Sequence, residues 1–168
     1  MKLTDLFLSE LEAEVPATRR VLERVPDGRP DWKPHPKSMS LLQLAGLVAA
    51  MPSWISYIIK LDELDVLPAE GKGQYQPPPA DGLVNALDKA VSEGQSALAG
   101  TTDDFLLTTS WKLLARGQVV AEPPRHVVIA DTFGHLGHHR GQLTVYLRLL
   151  GSKVPSTYGP TADDQHFG

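Results

Sequence analysis

The chain has 168 residues, a length that suits one domain with a sizeable core. It carries a net charge of -4 and no Cys, which excludes disulfides, thiolate nucleophiles, Cys-bound zinc and iron–sulfur clusters. No basic cluster supports phosphate contacts, no apolar run approaches the roughly 18 residues of a membrane span, and Met1 to Asp5 do not open a signal peptide, so a cytoplasmic protein with no nucleic-acid or membrane partner is expected.

Thr4 to Arg24 is predicted as the first helix, with Leu3, Phe7, Leu8, Leu11, Val15, Thr18, Val21 and Leu22 at helical spacing and Thr4 as its cap. Pro16 falls in its middle and predicts a kink or a break. Arg29 to Ser38 is a linker, because Pro30, Pro34 and Pro36 forbid a regular helix. Trp32 reads as a plug over the core end, and His35 as a loop residue that could face a pocket.

Ser40 is placed to cap a second helix, Leu41 to Leu61, with a distortion expected at Pro52. Its broad apolar face includes Leu44, Leu47, Met51, Ile55 and Ile58, and Trp54 and Tyr57 are either core or pocket lining. Asp62 to Asp65 reads as a solvated acidic end. Val66 to Ala80, rich in Pro and Gly, is long enough to cross between helices that run parallel.

Asp81 to Ala99 is the third helix, with Asp81 as cap, Gly94 as a slight weakness and Gly100 as a stop. Phe105 to Leu113 has strand-like chemistry, and Arg116-Gly117-Gln118 can turn the chain back onto Val119-Val120-Ala121, giving an irregular excursion or a short hairpin. Pro123-Pro124 starts a fourth helix that ends at Gly151. Val154 to Pro160 is expected to be extended and to fold back over one end, and Thr161 to Gly168 to form a flexible, frayed tail. Four amphipathic helices with one long crossover describe an all-α four-helix bundle in a single domain, an architecture that builds metal and ligand sites from facing helices.

The last helix carries the chemistry. His135 and His139 are four apart, so a helix places both imidazoles on one face, where they can share a divalent ion. Asp131 continues the stripe one turn earlier and could fix the tautomer of His135. The same stripe is equally consistent with solvated or mutually hydrogen-bonded side chains. His138 lies about 100° around the helix from His139 and should not join the same ion. Arg140 reads as a salt-bridge partner and Arg148 as a solvated side chain.

The run His135-Leu136-Gly137-His138-His139-Arg140-Gly141-Gln142, its continuation to Gly151 and Val154-Pro155, and the stretches Trp32 to Leu41 and Leu44 to Trp54 resemble the DinB/YfiT-like family of bacterial four-helix proteins. The resemblance implies a stress-associated, homodimeric protein with three histidines around nickel or zinc, two of them matching His135 and His139. The third ligand of the family falls on Leu47, which has no lone pair to donate. Leu47, Met51, Trp54, His35 and His138 are the candidate pocket residues. Three functions follow: a DinB-like protein with an incomplete two-histidine site, a metal-dependent hydrolase or thiol transferase using His135 and His139, and a metal-free bundle that binds a small molecule or a second copy.

Overall fold

A computed structural model describes residues 2–68 and 76–166. Its described helices are α1 (Leu3–Leu22), α2 (Leu41–Ala50), α3 (Ser53–Lys60), α4 (Leu83–Ala99), α5 (Asp103–Thr108) and α6 (Arg125–Leu149). Three short strands accompany them: β1 (Glu63–Asp65), β2 (Lys112–Ala115) and β3 (Gln118–Ala121). The protein is thus mostly helical with a small sheet. α4 and α6 each pack against α1, α2 and α3.

α1 runs through Pro16 without a break. The carbonyl that Pro16 leaves unpaired belongs to Glu12, and both residues are exposed, so water can satisfy it. Thr4 is not the cap expected of it; it lies inside the helix and is buried. The cap comes from α5, where the Asp103 carboxylate accepts the backbone N–H groups of Leu3 at 2.8 Å and Thr4 at 3.0 Å. Those two bonds hold the Asp103 carboxyl below the usual carboxylate range.

The predicted second helix is two helices. Ser40 caps α2 as expected: its hydroxyl accepts from Gln43 N, and the Gln43 side chain accepts from Ser40 N. Pro52 then stops the run, and α3 restarts at Ser53 with its axis turned by 55°. Gly94 of α4 sits against the break, where a Cβ would stand 2.8 Å from the Pro52 carbonyl oxygen. A glycine that weakens an isolated helix is therefore what lets α4 approach the bend.

Asp62 to Asp65, read as a solvated end, contains β1, which pairs in parallel with β2, Glu63 opposite Lys112 and Asp65 opposite Leu114. Asp65 accepts from Arg116 N at 3.1 Å and Gly117 N at 2.8 Å and so ties down the β2–β3 turn. That turn is the expected one. Arg116 and Gly117 both have positive φ, 54° and 74°, which matches the tight hairpin twist. The first part of the strand-like stretch is instead α5, capped by the Thr102 hydroxyl, which accepts from Phe105 N at 3.2 Å. Asp81 makes no capping bond; a single 3-10 turn, Ala80–Gly82, leads into α4.

Most of the crossover, residues 69–75, lies outside the described residues, as do residues 167–168 of the tail. The rest of the tail, expected to fray from Thr161, carries a hydrogen-bonded turn. Asp163 accepts from Val154 N and pairs with Arg148 at 2.7 Å, so Arg148 is not the free solvated side chain it was read as. Asp164 accepts from Ser156 N, and the fully buried Ser156 hydroxyl donates to carbonyls of the same tail.

The core forms two apolar clusters. One gathers Leu41, Leu44, Met51, Leu87, Leu136, Leu143 and Leu147, the other Phe7, Leu11, Ile55, Leu106, Ile129 and Phe133. Each fully buried side chain of this kind contributes about 1.5–3 kcal/mol.

Gly94→Ala tests the close approach at the Pro52 break. Helix propensity alone favours alanine, yet the contact with the Pro52 carbonyl should lower stability by about 1–3 kcal/mol, read from the urea midpoint at constant m.

Candidate functional site

α6 is anchored at both ends of its working stretch. At its start Arg125, 3% exposed, donates to the carbonyl oxygens of Ile58 and Leu61, to Asp62 and to the Thr109 hydroxyl. Its guanidinium also lies 4.8 Å from the Phe105 ring centre. The arginine thus closes the last carbonyls of α3 and ties that helix to α5.

Fifteen residues on, Arg140 is 1% exposed. Its Nη1 donates to the Thr18 hydroxyl at 2.9 Å and to the Glu14 carbonyl at 3.2 Å. Its Nη2 lies 2.7 Å from Glu14 Oε2, an ion pair whose angle falls short of a hydrogen bond. Tyr158 closes the pair from the tail, donating to the Glu14 carboxylate at 3.1 Å with its ring 4.8 Å from the guanidinium. Burial, first of all, raises the Tyr158 hydroxyl above the ordinary phenol value and keeps it a donor. Arg140 is the salt-bridge residue expected of it. Glu14, Thr18 and Tyr158 were not foreseen, because their separation in the chain hides them.

With α6 held in this rotation, His139 turns inward at 8% exposure while His135 stays open to solvent. Their Nε2 atoms approach to 2.9 Å. The His135 ring meets the Trp54 ring edge-on, with centres 5.4 Å apart. His139 Nδ1 lies 2.8 Å from Gln142 Oε1, and Gln142 Nε2 lies 3.0 Å from His138 Nε2. The structure therefore brings together His135, His138, His139 and Trp54, and adds Gln142. The spacing could have revealed Gln142, since i+3 from His139 and i+4 from His138 are both within reach on a helix.

The other candidates stand elsewhere. Asp131, assigned above to hold His135, is exposed and makes no hydrogen bond to it; His135 pairs with His139 instead. His35 is exposed, and its Nδ1 accepts from Lys37 N in its own loop. Met51 is fully buried in the core, and Leu47 packs partly buried against the same cluster as Trp54. An apolar groove of about 500 Å³ is lined by Val25, Pro30, Leu41, Leu42 and Pro79 with Asp27 and Asp81, and by none of the candidate site residues.

The resemblance implies three histidines around one divalent ion. Two imidazole nitrogens converge, but among the described residues no group of three or more His, Cys, Asp or Glu is arranged to hold an ion. The residues present do not fit a three-ligand centre, which is the usual protein contribution to an open catalytic site.

The DinB family model matches residues 1–166. A DinB-like protein from Bacillus cereus is similar in structure with a TM-score of 0.69 and 26% identity, covering 90% of this chain and 95% of its own. A DinB-like protein from Bacillus subtilis, at 16% identity, has a TM-score of 0.66 over 95% of this chain and 99% of its own. A putative DinB member from Exiguobacterium sibiricum, at 19% identity, has a TM-score of 0.63 over 90% and 93%. No curated protein matches the sequence.

Partial burial of the ring, and then the neighbouring imidazoles of His139 and His138, hold the half-exposed His135 below the ordinary imidazole value. An NMR titration should therefore place the His135 midpoint below the ordinary imidazole value. His139→Asn should raise it only partway, because desolvation is the larger cause.

Proposed function

Because the chain belongs to the DinB family, we propose that it is a family member whose metal centre is incomplete, a two-histidine remnant with Leu47 in the place of the third ligand. The observation that carries this reading is the pair itself. His135 and His139 bring their Nε2 atoms to 2.9 Å and satisfy one another by a hydrogen bond, and among the described residues no third His, Cys, Asp or Glu joins them in an arrangement that could hold an ion. Two imidazoles hold a divalent ion weakly and leave most of its positions to water. A metal-dependent hydrolase or thiol transferase would need a ligand that this set lacks.

On this reading the four long helical runs, with α2 and α3 counted as one, are a four-helix bundle that kept the family's architecture and lost its tight ion. The protein works in the cytoplasm as a homodimer through its exposed helix faces. Its role is binding rather than metal-assisted hydrolysis. The sheet and the α5 excursion are part of the scaffold, since they hold the start of α6.

Elemental analysis of protein purified without an affinity tag should find nickel and zinc well below one equivalent. One equivalent that survives dialysis and disappears in His135→Ala would overturn the proposal. Leu47→His supplies the missing nitrogen, and should tighten nickel or zinc binding in calorimetry by about tenfold to a hundredfold. An unchanged affinity would mean that position 47 does not face the pair.

A further inference from the structure

We infer that Gln142 is the positioning residue of the histidine pair, setting which nitrogen of His139 carries the proton. This deepens the reading of the pair as a two-histidine remnant and concerns the same site. The argument is one of donors and acceptors. The Gln142 carbonyl oxygen can only accept, so the 2.8 Å contact puts the proton of His139 on Nδ1. A neutral imidazole has one N–H, so His139 Nε2 is left with its lone pair. That lone pair then accepts from His135 Nε2 at 2.9 Å. At the other end, the Gln142 amide N–H donates to His138 Nε2 at 3.0 Å, which places the His138 proton on Nδ1.

The four side chains therefore form one directed chain. His135 donates to His139, His139 to Gln142, and Gln142 to His138. Gln142 is exposed and contributes nothing to the core, so its contacts with two rings at once are its main described interactions. The consequence for the site is specific. His139 already presents a bare Nε2 to the space beside His135, the form a ligating nitrogen must have. Only His135 would have to move its proton for both nitrogens to face the same point. The residue that prepares the site is thus a neutral amide one turn along the same helix, not the carboxylate of Asp131.

The test reads tautomers directly in metal-free protein. Two-bond proton–nitrogen correlation spectra of histidine-labelled protein at pH 8 should show His139 as the Nδ1–H form. Gln142→Leu should abolish that preference, with a protonated Nε2 appearing at His139, while circular dichroism stays unchanged. Gln142→Glu should keep the Nδ1–H form, because a carboxylate accepts the same bond. His139 found as Nε2–H in the unaltered protein would mean the amide is turned over, and overturns the inference. So would a tautomer that Gln142→Leu leaves in place. Metal content does not enter this measurement, so the inference and the incomplete-centre reading fail separately.

Discussion

A guanidinium sealed at 1% exposure is the constraint on which the rest of the molecule turns. An unpaired charge in that position would cost several kcal/mol, so Arg140 must meet Glu14 wherever the helices pack. Polar and apolar residues are spread around α6, and its buried set includes Arg125, Thr132, His139 and Arg140 beside the leucines. Apolar burial alone therefore fixes the rotation of α6 weakly. The Arg140–Glu14–Thr18 contact fixes it firmly, and Tyr158 covers the result. His139 immediately precedes Arg140, about 100° away around the helix, so locking one side chain aims the other.

The second determinant is a fault in a helix. Had α2 continued straight through Pro52, Trp54 would share the direction of Leu47 and Met51. α3 instead leaves the break at 55° to α2, and the Trp54 ring meets His135 edge-on. The bend is accommodated because Gly94 presents bare backbone to the Pro52 carbonyl. The aim of the histidine pair thus follows one charged contact across α1 and α6, while its Trp54 neighbour follows a break that one glycine in α4 accommodates. Neither touches an imidazole.

Much of the fold is legible in the chain, and the misses have a common cause. Apolar spacing and local stop signals place α1, α4 and α6, the Ser40 cap of α2 and the Arg116-Gly117 turn, all of which act between near neighbours. Non-local contacts decide the rest. α5 is the exception: Phe105, Leu106 and Leu107 look strand-like, yet a local cap, the Thr102 hydroxyl accepting from Phe105 N, starts a helical turn. β1 reads as an acidic end because its partner, β2, lies far along the chain. Pro16 and Pro52 look alike in sequence; one is tolerated where its freed carbonyl meets water, and the other ends a helix inside the fold. At the site, the i, i+4 spacing correctly brings His135 and His139 together, but Asp131 obeys the same spacing and stays in solvent. Spacing places residues on a face; what lies opposite that face is a matter of tertiary packing.

The Asp103 carboxylate that receives the first N–H groups of α1 has an implication for biogenesis. Leu3 and its acceptor are 100 positions apart. A ribosome must therefore add 100 further residues before the first turn of α1 can receive this cap. Until then that turn stays frayed, and the Glu14 carboxylate waits longer still, since its guanidinium emerges 126 positions later. The first helix is in this sense completed by partners that are synthesised long after it.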